Sequence, residues 1–441
     1  MSSASESCLG RLPGGWGVKR LKYAVMLITD KQGTLENGCR YIGLEHVEPW
    51  TGRLTEPLCD SNGMSDETGE TGGTRFSAGD VLFGKLRPYL AKVHRAESDG
   101  ICSGELLVLR ARDFDSRYLR YLLSTREVIS EVDSSTYGAK MPRANWTFIG
   151  NLRLPIPPRN QQVAIADALD RETFSLDDLI ATKKRLVELL EEKRFATISQ
   201  LVTKGCNLRI RQHDSGVDWI GAIPVHWSVC RTKFVARLKT GHTPSRQHPE
   251  YWLDCTIPWF SLADIWQIRD GRAEYITQTA EKISELGLAN SAAQLLPAGT
   301  VMVSRTASVG FSAIMAVPMA TTQDFVNWIC GPRIIPEYLL YVFRSMRHEF
   351  RRLTMGSTHQ TIYMPDVRQF VTPLPPVDEQ PTILAAIRAE VAKVDKLIQM
   401  LLDQIARLHE HRSALITDAV SGQIDIRNYA AVGDAHASRS S

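Results

Sequence analysis

From residue 384 onward the chain places an apolar side chain every three or four residues for about five heptads. Ile387, Val394, Leu401, Leu408 and Leu415 stand seven apart, and Leu384, Val391, Ile398, Ile405 and Ala419 make a second seam beside them. This is the a/d stripe of a helix packed along another helix. Shifted back by 218 residues, the two seams hold Leu169, Leu176, Lys183 and Leu190, and Ala166, Thr173, Ile180, Val187 and Leu201, with Arg194 standing where the later helix has Arg412. The spacing predicts two helices of about 40 residues, each about 60 Å long at about 1.5 Å per residue. Lys183 and Arg194 interrupt the first stripe, so the first helix is expected to need a partner. Two arrangements compete: each helix lies on its own globular part, or the helices pack on each other. The matching seams favour the second, and antiparallel packing would then set the globular parts at opposite ends of a rod, related by a pseudo-twofold axis.

The helices belong to a longer duplication. PIPPRNQQ at 155–162 recurs as PLPPVDEQ at 373–380, and RLPGGWGVKRLKYAV at 11–25 matches AIPVHWSVCRTKFVA at 222–236, aligning Trp16 with Trp227 and Arg20 with Arg231. Two copies of one unit imply two similar sites. The paired tryptophans read as a structural device, buried beneath the first strand of each copy. Inside the copies, RFSAGDVLFGKLRPYL at 75–90 is echoed by LLPAGTVMVSRTASVG at 295–310: a turn, an apolar strand, then a basic loop. A strand from Glu105 and a helix from about Asp115 follow, the helix echoed from Ile335. The expected class is therefore α+β, with two mixed α/β globules and two long antiparallel coiled-coil helices in an internal repeat. The expected segments are a first globule over 1–158, a helix over 159–206, a linker and second globule over 207–376, a second helix over 377–421 and a tail over 422–441.

Composition narrows this picture little, but charge does. With 43% hydrophobic and 23% charged residues among 441, the chain has the profile of a globular protein able to bury two cores. A net charge of +3 is low for a protein that grips duplex DNA alone, so cations clustered on one face, or a partner's help, would be needed. Eight cysteines without a C-x-x-C pair read as isolated reduced thiols, not as a zinc site or disulfide framework. No run approaches a membrane span and the start lacks a signal-peptide pattern, so a cytoplasmic location is expected.

No catalytic signature stands out. Gly84-Lys85 is followed by Leu86 and lacks the leading glycine of a phosphate loop. There is no N-P-P-[YF] and no H-E-x-x-H, and His409 and His411, two apart on a helix, cannot face one metal ion. The chain is expected to be non-catalytic, with no metal site.

Taken in order, PIPPRNQQ and PLPPVDEQ, DSGVDWIGAIPVHW after the first helix, TGHTPSRQHPEYW at 240–252 with IPWFSLADI at 257–265, and AVSGQIDIR closing the second helix form a pattern. It resembles the specificity subunit of type I restriction-modification systems, from about residue 11 to 427. The resemblance implies two target recognition domains that each read half of a split double-stranded DNA site, joined by helices acting as a ruler. It also implies docking of two modification (methyltransferase) subunits on those helices and addition of ATP-dependent restriction subunits. The methyl donor, S-adenosylmethionine, would sit on the modification subunit, leaving this chain without a cofactor. Asn160 and Gln161 depart from the acidic residues usual in the family's motif, whereas Asp378 and Glu379 keep them, so their contacts are expected to differ.

Candidate DNA-binding residues lie in the predicted loops. Lys85, Arg87 and Tyr89 join two cations to an aromatic, with Ser304, Arg305 and Thr306 as their expected counterparts. Lys140 and Arg143 fall in a later loop, as do Ser357, Thr358, His359 and Gln360 in the second copy, and Thr243, Ser245 and Arg246 flank Pro244. These side chains can meet phosphates and base edges. The competing function is a coiled-coil protein–protein scaffold with no sequence-specific DNA binding.

Overall fold

Gly17–Arg20 pairs antiparallel with Arg153–Ile156, and Ser228–Arg231 pairs antiparallel with Val371–Leu374. Each copy is thus closed by a two-stranded ribbon joining its first strand to the strand that runs into the long helix. The computed structural model describes residues 9–10, 12–32, 40–55, 73–138, 140–354 and 360–425. The tail from 426 and the loop residues Ser357, Thr358 and His359 lie outside them. The chain divides into two compact units, residues 1–183 with 403–441 and residues 184–402.

In the first unit a four-stranded sheet runs in the order Val25–Ile28, Leu106–Ala111, Val81–Gly84, Val93–Arg95. Strand alternation sends Val81, Phe83 and Leu109 to one core and Leu82 and Val108 to another beneath a second sheet. On the larger core lie Ser116–Leu123 and Arg126–Ser134. The single helix expected from Asp115 is broken here, because Ser124 ends the first segment and Thr125 accepts Val128 N–H as a new cap.

The second unit repeats this plan. Its five-stranded sheet runs Ala236–Thr240, Phe325–Cys330, Val301–Ser304, Ser312–Met315, Tyr275–Ile276, and Pro336–Ser345 and Arg347–Thr354 stand where the first unit has its helix pair.

Arg159–Lys204 and Gln380–Ser421 are the two long helices, and they pack together in both units. In the first unit Lys183 Nζ donates to Gln404 Oε1 at 2.7 Å and Arg412 Nε to Asp177 Oδ1 at 2.8 Å, so numbers rise along one helix as they fall along the other. In the second, Arg194 Nε donates to Asp395 Oδ1 at 3.0 Å with Tyr338 Oη on the Val202 carbonyl. The pairing is antiparallel, as the seams predict. Lys183 and Arg194 do not weaken the seam as unpaired charges would, because each meets a polar residue of the other helix.

The proline-rich motifs show why they recur. Gln162 accepts Asp115 N–H and donates to the Asp113 and Pro157 carbonyls, while Gln380 accepts Ile335 N–H and donates to those of Arg333 and Pro375. One buried amide therefore ties the start of each long helix to the start of a domain helix. Trp16 Nε1 donates to Gln161 and Trp227 Nε1 to Glu379. The residue preceding the motif glutamine makes the same contact in both copies, against the expected difference, because an amide oxygen accepts as a carboxylate does. Only Glu379 adds His226, at 2.9 Å. Trp227 is buried and Trp16 half-buried.

Candidate nucleic-acid interface

In the first unit the strand Val81–Gly84 delivers the basic loop. Lys85 N–H donates to the Glu105 carbonyl, Ala144 N–H to the Lys85 carbonyl, and Arg87 N–H to the Pro142 carbonyl at 2.8 Å. These main-chain bonds bring residues 85–91 against 140–144, two segments placed in separate loops by the sequence. Arg87 is held at φ +49°, a left-handed conformation that is costly for a residue with a Cβ and so fixes the turn. Arg87, Tyr89 and Lys140 are exposed and Lys85 is half-buried with no ion pair among the described residues. Arg143 differs, since its guanidinium lies on Glu105 at 2.9 Å, which holds its pKa above the ordinary value. It braces the loop. Tyr137 and Met141, both exposed beside these cations, add apolar surface that charge-based reasoning passed over.

The second unit builds its loop with the same three bonds. Arg305 N–H donates to the Asp324 carbonyl, Ile362 N–H to the Arg305 carbonyl, and Ala307 N–H to the Gln360 carbonyl, with Ala307 at φ +58°. The structural counterpart of Lys85 is therefore Arg305, and that of Arg87 is Ala307. Ser304 occupies the place of Gly84, fully buried, with its hydroxyl donating to the Thr306 carbonyl. Ser304 is thus the last residue of the strand Val301–Ser304 and not the first of the loop, and its expected place as the exposed counterpart of Lys85 is corrected.

Arg305 spends Nε on the Gln323 carbonyl and Nη1 on that of Ile362, leaving its charge without a carboxylate partner among the described residues. Gln323 Oε1 also accepts the Thr243 hydroxyl at 2.8 Å. The structure thus joins Thr243 and Arg305 through Gln323, a residue that carried no sequence signal because it lies 80 positions from Thr243, while Gln360 meets the same loop through Ala307. Thr306 bridges to Thr361, and Gln360 keeps an exposed side chain. The Ser245 carbonyl accepts Trp252 Nε1–H at 3.2 Å. Arg246 stacks 4.2 Å from the Trp252 ring centroid and pairs with Glu281 at 2.6 Å, although it remains exposed.

The two loop clusters thus share one main-chain design and differ in their side chains. The chain between 224 and 407 matches the family model for the type I restriction modification DNA specificity domain. Residues 224–407 belong to that family. Over 170 residues the chain is 29% identical to the type I restriction enzyme MjaIX specificity subunit of Methanocaldococcus jannaschii, a match spanning 38% of each protein. To the MjaVIII specificity subunit of the same organism it is 22% identical over 366 residues, covering 80% of this chain and 78% of that one. A solved structure bearing on complex assembly and conformational transition of the type I R-M system superposes with TM-score 0.70 at 18% identity, covering 94% of this chain and all of that one. That likeness is one of fold. The loop of Arg305 and Gln360 lies inside the matched specificity domain, and the loop of Lys85 is its repeat mate outside it. No helix among the described residues is long and apolar enough to cross a membrane.

Proposed function

We propose that this chain is the non-catalytic DNA-specificity subunit of a type I restriction-modification complex, each unit reading one half of a bipartite double-stranded site. The observation that carries this reading is the repeated loop scaffold, with Lys85 and Arg87 presented in one copy and Arg305 and Gln360 in the other. Exposed Lys and Arg side chains neutralise phosphates and set position without reading sequence, while amides and hydroxyls such as Gln360 and Thr243 discriminate base edges. Loss of one good bidentate base contact costs about 1–3 kcal/mol of discrimination.

The long helices would carry the partners. In the second unit Leu186, Leu189, Leu397 and Met400 leave more than two fifths of their surface exposed on the helix pair, apolar area that suits docked modification subunits. Methyl transfer from S-adenosylmethionine, and cleavage by restriction subunits, would belong to those other chains. The test is to express this chain with its modification subunit and map methylated adenines across a host genome. A single split motif methylated in both halves is expected. An intact complex that methylates without any motif would refute the reading.

A further inference from the structure

The second unit contains a cavity of about 560 Å³ walled by both long helices, residues 269–272, residues 309–311, Arg344 of the Pro336–Ser345 helix, the Arg347–Thr354 helix and Gln360 of the adjoining loop. Six arginines line it. Arg194 and Arg272 share Asp395, at 3.0 and 3.9 Å. Arg269, Arg344, Arg347 and Arg351 have no ion pair among the described residues, against Glu191 and Asp270 as the other acids on the wall. Arg344 is the least satisfied of them. Its Nη2 donates to the Ala273 carbonyl at 2.6 Å, but Nε and Nη1 are buried without an acceptor. A buried guanidinium with two idle donors and no ion pair is costly, and its charge adds to the positive potential that Arg269, Arg347 and Arg351 give the cavity wall.

The feature is not inherited from the repeat. The domain helices align at an offset of 220, as Tyr118 and Tyr338 show by donating to the Val420 and Val202 carbonyls. At that offset Arg344, Arg347 and Arg351 replace Ser124, Glu127 and Glu131 of the first unit. Three arginines one turn apart on one wall therefore belong to the second unit alone, where neither the shared scaffold nor the helix pairing calls for them.

We propose that this cavity is a phosphate-binding site of the second unit, filled either by a backbone phosphate of nucleic acid or by a free polyphosphate. The planar guanidinium fork pairs with two phosphate oxygens at once, which makes converging arginines better suited to phosphate than to a monovalent ion. The volume falls in the range of small-molecule sites. The site stands on the geometry of this unit and not on the DNA-specificity reading.

The experiment titrates the full chain with inorganic pyrophosphate at low chloride, following thermal stability, and separately with a random-sequence duplex. The variants are Arg347→Gln/Arg351→Gln, both exposed, Arg344→Met, and Arg185→Gln as a control on the first long helix outside the cavity lining. Saturable stabilisation by pyrophosphate, with the dissociation constant raised at least tenfold in the first two variants and unchanged in the control, is the expected result. If duplex binding stays as in the wild type, the ligand is a free polyphosphate; if it weakens in the same two variants, with or without pyrophosphate binding, the ligand is a backbone phosphate. A chain whose pyrophosphate and duplex binding are both absent, or both indifferent to these substitutions, overturns the proposal whether or not the chain reads DNA.

Discussion

Arg412 donates through Nε to Asp177 Oδ1 at 2.8 Å with both side chains buried, and the repeat of that pair, Arg194 on Asp395 at 3.0 Å, exchanges the helices from which the arginine and the aspartate come. The guanidinium is fixed in the same way each time, Arg412 Nη1 on the Trp50 carbonyl and Arg194 Nη2 on that of Gly271. A second arginine approaches each aspartate, Arg53 at 3.3 Å and Arg272 at 3.9 Å. The break in the heptad stripe at these positions is thus a polar clamp between helices, which fixes register where leucines would slide.

Removing one partner of the buried clamp leaves the other charged and desolvated. Arg412→Met is expected to destabilise the first unit by about 3 kcal/mol, the lower end of the range for breaking a buried pair, because Arg53 still faces Asp177. Arg412→Met with Asp177→Leu should regain most of that loss, since no charge is then stranded. Denaturant unfolding of the single and double variants measures both, and a double variant as unstable as the single one would refute the clamp.

The reading loops make a separable prediction. Lys85→Ala and Arg87→Ala are expected to weaken duplex binding at every sequence and to reduce the slope of log affinity against log salt by about one unit each. Gln360→Ala should instead relax one half-site at a cost of about 1–3 kcal/mol of discrimination. Methylation maps and binding titrations at several salt concentrations distinguish the two effects. Equal losses at all sequences for all three variants would remove the division between positioning and reading.

His94 gives the first unit a pH dependence. Burial lowers its pKa, outweighing the hydrogen bond from Nδ1–H to the Gly52 carbonyl at 2.8 Å. With the folded pKa below the unfolded value of about 6.5, the unfolded chain binds the proton first. The stabilisation is complete above about pH 6.5 and is lost as pH falls through the folded pKa. Protection of residues 81–95 against hydrogen exchange, relative to the intrinsic rate at each pH, should fall between pH 7 and 5, and His94→Asn should flatten that fall.

Periodicity made the helices legible. Ile387, Val394, Ile398 and Leu415 are buried as the stripe demands, since a seven-residue repeat is a local property of the chain. Leu401 and Leu408 are only half-buried, because sequence marks which face is apolar but not how closely neighbours cover it. The loop register was misread by one residue at Ser304, where apolar strand and basic loop meet without a glycine or proline to mark the boundary. Gln323 was invisible, since its role arises from contacts with Thr243 and Arg305 across the sheet. The six arginines of the cavity were likewise spread over four segments of ordinary polarity.

The helix pair itself is testable under the proposed function. If the helices set the unread gap between half-sites, deleting one heptad from each, residues 184–190 and 397–403, shortens the pair by about 10 Å at about 1.5 Å per residue, or about three base pairs. A seven-residue deletion is required because it preserves the a/d seam, whereas a four-residue deletion would turn apolar positions to solvent. Both polar clamps lie outside the deleted segments and remain to fix the register. The expected methylation motif keeps both half-sites and loses base pairs only between them. A folded deletion variant whose motif retains the original gap would show that something other than helix length sets the spacing.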